Sequence, residues 1–231
     1  MRTTDTETLI RELAGRTLPV RPLARPGVRA AAWLAIAVPS ALLVVVMMPG
    51  RGDWVSRLLL PRVVSEEAFA LTTGMLAAIA AFASVVPGYD RKILLLPVVP
   101  LALWLGGLGQ NVVRDWLQLT SQGFSMQAEW VCLPATIMAG TVPAIAMAVM
   151  LRRGAPLTPR LSSLLGGLAA GGLGNLGVCV THHTYGNVLV LAWHLGIVVA
   201  LTLIVGSAGR RLLNWQALVE PTRRMATGVT R

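Results

Sequence analysis

Cysteine is almost missing from this chain: there are two in 231 residues. No CxxC pair occurs, nor a nucleophile elbow, a P-loop, or two carboxylates inside one apolar stretch. A thiol oxidoreductase that passes electrons onward needs a second redox pair, so a two-cysteine chain is poorly equipped for turnover. Charge is also scarce. Charged residues make up 13% of the chain, where a soluble domain carries about 25%. Also missing are ionised residues deep within the apolar runs and any inverted repeat of the two halves, features that mark ion and substrate paths in secondary transporters. The expectation is a protein that is not an enzyme, has no cofactor and takes no small-molecule substrate. A small transporter or channel is the runner-up reading, and a membrane thiol oxidoreductase a weaker third.

What the chain does have is hydrophobic length. Hydrophobic residues reach 55% and the mean hydropathy is +0.66. Six runs, 29–48, 68–86, 93–110, 131–151, 161–180 and 187–207, are apolar all round. Each is near the ~20 residues a helix needs to cross ~30 Å of hydrocarbon. The fold expected is therefore all-α: a polytopic membrane protein with six transmembrane helices in one bundle. Sixteen of the twenty Lys and Arg residues fall in the first segment (through Arg29), the connections 87–92 and 152–160, and the tail 208–231. Basic flanks resist translocation, so that side is cytoplasmic and both termini are inside. The net charge of +10 does not point to nucleic acid, because the Arg residues are spread over helix ends at one leaflet, where anionic lipid attracts them. The lipid bilayer is the partner this charge implies. The first apolar run follows 28 polar residues and lacks a small-residue cleavage site, so it is not read as a signal peptide.

Three parts follow from these runs: residues 1–28, a transmembrane domain over 29–207, and a basic tail over 208–231. In the first part, Thr4-Asp5-Thr6-Glu7 matches a capping box, and Leu9, Ile10 and Leu13 then share one face of a short amphipathic helix. That face serves either as a membrane-surface anchor or as a docking segment for a cytoplasmic partner. Pro19, Pro22 and Pro26 predict an extended arm over 17–27. The fifth run holds Gly166, Gly167, Ala169, Ala170, Gly171, Gly172 and Gly174, a stripe against which backbones approach closely, and it is expected to be the packing centre. Pro39, Pro97, Pro100, Pro134 and Pro143 fall within or at the ends of other runs. Trp33, Trp54, Trp116, Trp130 and Trp215 lie near run ends and read as interfacial anchors.

Cys132 opens the fourth run and Cys179 closes the fifth, which places both at the outer face on this topology. Two thiols there form a disulfide if their Cα atoms come within about 7 Å; buried Cys on adjacent helices is equally ordinary packing. His182 and His183 follow Cys179. Thiolate and imidazole suit Zn²⁺ or Cu⁺, although adjacent histidines rarely both ligate one ion, and the plainer reading is two loop histidines. His194, within the sixth run, is a possible intramembrane switch. Asp115 and Glu129 read as solvated loop charges.

The order and spacing of several segments resemble the NrsF-like family, negative regulators of sigma F that act as membrane anti-sigma factors. These segments are Leu9-Ile10-Arg11-Glu12-Leu13-Ala14, Pro19-Val20-Arg21-Pro22-Leu23, Leu96-Pro97-Val98-Val99-Pro100, Arg114-Asp115-Trp116, Trp130-Val131-Cys132, Leu151-Arg152-Arg153-Gly154-Ala155-Pro156 and Trp193-His194. The resemblance implies a six-helix protein of the bacterial inner membrane that holds an ECF-type sigma factor on its cytoplasmic side and releases it on stress. It assigns partner binding to that side, hence to Leu9, Ile10 and Leu13. It also implies that the family's two cysteines, matched to Cys132 and Cys179, take part in sensing at the periplasmic face. One departure stands out. The second family cysteine is usually followed by Pro and an acidic residue, whereas here Cys179 leads into Val180-Thr181-His182-His183, which leaves ligand or oxidant preference open.

Overall fold

A computed structural model describes residues 3–15, 22–47, 56, 59–119, 132–154 and 158–176, and positions 196, 199–200, 202–204 and 206–207. All its regular structure is helical. In chain order the elements are α1 (Thr3–Gly15), α2 (Pro26–Met47), α3 (Pro61–Ala83), a 3₁₀ turn η1 (Arg91–Leu95), α4 (Val98–Leu119), α5 (Cys132–Arg152) and α6 (Pro159–Gly174). Among the described residues three helical stretches, Pro26–Met47, Val63–Ala83 and Arg91–Gln110, are long and apolar enough to cross a membrane.

Helix α6 lies at the centre, packed against α3 on one side and α5 on the other, while α2 bridges α5 and α3 and α4 leans on α3. The cause is the run of small residues expected to do this. From Ser162 to Asn175 almost every position of α6 is buried. At Gly172 a Cβ would stand 3.1 Å from the Ala70 carbonyl oxygen and 3.4 Å from Gly74 Cα, so α3 and α6 touch backbone to backbone. The rest of the core is mainly alanine: Ala30, Ala37, Ala77, Ala78, Ala80, Ala81 and Ala169 surround Trp33, Phe82, Met147, Leu151 and Leu173. Large aliphatics point outward instead, among them Ile36, Leu43, Val99, Leu103, Ile145 and Val149. Small inside and large outside inverts the arrangement of a water-soluble bundle, and a continuous aliphatic exterior of this extent calls for a cover.

Three local features differ from the sequence expectation. The extended arm ends at Arg25, because Pro26 takes the first position of α2, where its missing N–H costs nothing and its fixed φ suits the helix. The third run is broken: Asp90 Oδ1 accepts from Lys92 N at 2.9 Å and starts η1. Pro97 then separates this turn from α4, which continues to Leu119, well past the expected end at 110. Trp33 is the third. It is 0% exposed and donates from Nε1 to the Pro143 carbonyl oxygen at 2.9 Å, so it is a core residue and not an interfacial anchor. The indole belongs to the same buried cluster as Phe82, Met147, Leu151 and Leu173.

Candidate functional site

The described residues offer two candidate regions, the free face of α1 and one end of the bundle. Helix α1 already includes Thr3, so Thr4, the cap residue the motif implies, lies inside its first turn. Leu9, Ile10 and Leu13 lie on it 54%, 60% and 57% exposed. Among the described elements α1 shares no extensive interface with another. Three aliphatic side chains on one helical face thus stand uncovered, which is the geometry of a helix that docks elsewhere.

At the bundle end, the first turn of α2, the last turns of α3 and α5, and the first turn of α6 meet. Ser84 and Ser162 share a hydroxyl–hydroxyl hydrogen bond of 2.7 Å, joining the end of α3 to the start of α6. One hydroxyl donates across the pair and the other donates to its own backbone carbonyl, that of Ala81 for Ser84 or of Thr158 for Ser162. Gly154 packs so closely after α5 that a Cβ there would come 2.8 Å from Val85 Cγ2. Arg29 completes the junction. It is 7% exposed, donates from Nη2 to the Met150 carbonyl oxygen, and lies over the Phe82 ring with Cζ 4.5 Å from the centroid. Its Nη1 is enclosed and has no hydrogen-bond acceptor among the described residues. The basic residues of η1 and those around the α5–α6 turn, Arg91, Lys92, Arg152, Arg153 and Arg160, belong to the same end and are exposed. Gly206 sits against Leu164, which ties the end of the sixth run to α6 near that junction.

The sequence reading passed over Arg29 and Trp33 as flanking residues. One signal was present: Arg29 is the sole ionised residue in the first apolar run, and charge at such a position needs partners. Of the other predicted sites, Cys132 is the first residue of α5. Cys179, His182, His183 and His194 lie outside the described residues, as does the tail 208–231.

Among the described residues the chain is an all-helical bundle with helices of membrane-crossing length, and the aliphatic face of α1 is exposed. The family model described as NrsF, negative regulator of sigma F, matches residues 13–215. The chain belongs to this family and is by that membership a negative regulator of a sigma factor. Leu13 opens the matched stretch, and Leu9 and Ile10 precede it. No curated protein and no solved structure matches the chain.

Proposed function

We propose that the chain is a multi-pass anti-sigma factor of the bacterial inner membrane. In this reading it crosses six times, keeps both termini in the cytoplasm and holds an ECF-type sigma factor there through Leu9, Ile10 and Leu13. A redox or metal stress at the periplasmic face acts on Cys132 and Cys179 and releases the partner. The observation that carries the reading is the uncovered aliphatic face of α1 in a member of a sigma-regulator family. The meeting of the basic connections at one bundle end supports the topology, because helices in alternate directions bring alternate connections together.

A route from signal to docking segment runs through α5. Cys132 opens that helix, and its far half is bonded to α2 twice, at Pro143 by Trp33 and at Met150 by Arg29. Helix α2 in turn carries the arm and α1. A shift of α5 at its outer end therefore reaches the base of the arm through two defined contacts, provided the two arrangements differ in free energy.

The test is replacement of Leu9, Ile10 and Leu13 together by Ser. None of the three is in the bundle, so insertion is unchanged, while loss of aliphatic contacts worth roughly 1.5–3 kcal/mol each abolishes a micromolar complex. Co-purification of the cognate sigma factor and transcription from its promoter read the outcome. Full retention at unchanged protein level sinks the docking assignment.

A further inference from the structure

We propose that Arg29 is a two-position latch: it is seated between α2, α3 and α5 in the arrangement described, and it withdraws to the end of the bundle when that junction opens. The seated position is held by the hydrogen bond from Nη2 to the Met150 carbonyl oxygen and by the Phe82 ring, 4.5 Å from Cζ to its centroid. Against these contacts stands an enclosed Nη1 that has no acceptor. A guanidinium carries five N–H donors and keeps its proton, so a buried one short of acceptors is among the least favourable groups a core can hold. This charge has an exit. The Arg29 backbone N donates to the Arg25 carbonyl oxygen at 3.1 Å, which puts Arg29 in the first turn of α2, and Arg25 itself is exposed. Helical side chains lean toward the start of their helix and long basic ones snorkel, so rotation of the side chain alone carries the charge out, with α2 intact. Withdrawal loses the α3 and α5 contacts together and leaves Trp33, one turn further in, as the bond between α2 and α5. The arm that carries α1 leads straight into the turn so freed. The trigger rests on the proposed route from Cys132 through α5, whereas the two positions of Arg29 do not.

Phenylglyoxal, an arginine-directed dicarbonyl, tests the latch on the full chain in detergent, with mass spectrometry comparing Arg29 and Arg25. A withdrawn position populated at about 0.1–10% makes Arg29 react roughly ten to a thousand times more slowly than Arg25. Complete protection of Arg29 overturns the latch, and so does a rate equal to that of Arg25. The thiol oxidant diamide should raise the Arg29 rate alone; no change overturns the link to the cysteines. Arg29→Met keeps an unbranched stem without the charge, and its thermal midpoint should equal or exceed that of the wild type, because an apolar group in place of a buried charge is often neutral or stabilising. A lower midpoint, or a variant that does not accumulate, shows the guanidinium to be the better occupant and overturns the proposal. With the cognate sigma factor bound, diamide should release it from the wild type and from Arg29→Lys, which keeps a mobile charge, but not from Arg29→Met. Equal release from Arg29→Met overturns the latch as a step in release. A wild type that holds no sigma factor overturns the proposed function instead, and labelling and midpoint still decide the latch.

Discussion

Replacing Trp33 distinguishes a core residue from an anchor by magnitude. The indole is fully enclosed and spends its single donor on the Pro143 carbonyl, 110 residues away. Truncating a buried Trp to Ala in a soluble core costs about 3–5 kcal/mol, part transfer and part cavity. In a bilayer the transfer part shrinks, because the separated helix leaves its indole in lipid rather than in water. The cavity part stays, since the helices around it are already held together by the close approach of α3 and α6 at Gly172 and have little room to collapse further. We expect Trp33→Ala to cost about 3 kcal/mol, near the bottom of that range. Trp33→Phe keeps most of the ring and loses only the N–H donor, at about 0.6 kcal/mol and at most ~1.7. Reversible unfolding in mixed micelles separates these values, as does a thermal midpoint that moves about 2–4 °C per kcal/mol in a chain of this size. An Ala variant within about 1 kcal/mol of wild type refutes the packing argument and restores the anchor reading. A Phe variant as damaging as Ala places the energy in the hydrogen bond instead.

Gly172→Val should destabilise by about 1–3 kcal/mol, because its Cβ already meets the Ala70 carbonyl at 3.1 Å and two further methyls force α3 and α6 apart; an unchanged unfolding midpoint contradicts the close approach. A reporter fused after the last run should be active only if it works in the cytoplasm, and alkaline phosphatase activity there overturns the topology and with it the shared outer location of the cysteines. Non-reducing mass spectrometry of membranes treated with oxidant should recover a Cys132–Cys179 peptide; no such peptide, with both thiols found modified singly, excludes an intramolecular bond as the signal.

The parts of the fold set by residue size and hydropathy were readable in advance. Gly and Ala at helical spacing in 161–174 marked the packing centre because close approach depends on side-chain size, which sequence states directly. The aliphatic face of α1 was equally plain, since alternation of apolar and charged residues reveals a face. Trp33 was not, for the opposite reason: α2 is apolar all round, so its pattern holds no information on which side turns inward. The inward side is chosen by Pro143 and the alanines of α3, distant in sequence. Arg29 was hidden in the same way, because an Arg at the start of an apolar run looks like any flanking charge until a carbonyl 121 residues later is brought against it. The break at Pro97 had a visible cause, but the apolar character on both sides concealed it.

The size of the proposed signal constrains how tightly the sigma factor is held. A disulfide is worth about 2–4 kcal/mol, whereas swinging a two-state equilibrium from 1:99 to 99:1 takes about 5.5 kcal/mol. A bond between Cys132 and Cys179 therefore moves the bundle only part of the way, and the rest must come from a docking affinity already near balance. A coupling of about 3 kcal/mol weakens the partner roughly 150-fold. Applied to a micromolar complex, that loss reaches about 0.1 mM and releases a partner present at micromolar concentration. Applied to a nanomolar complex, it leaves the partner bound. Three aliphatic side chains on a thirteen-residue helix fit the weaker hold, since a helix this short is marginal alone and spends part of its contact energy on ordering. A nanomolar dissociation constant measured for the intact pair would thus count against a two-cysteine trigger acting alone, and would require a further step, such as cleavage or a second signal, between the outer face and release.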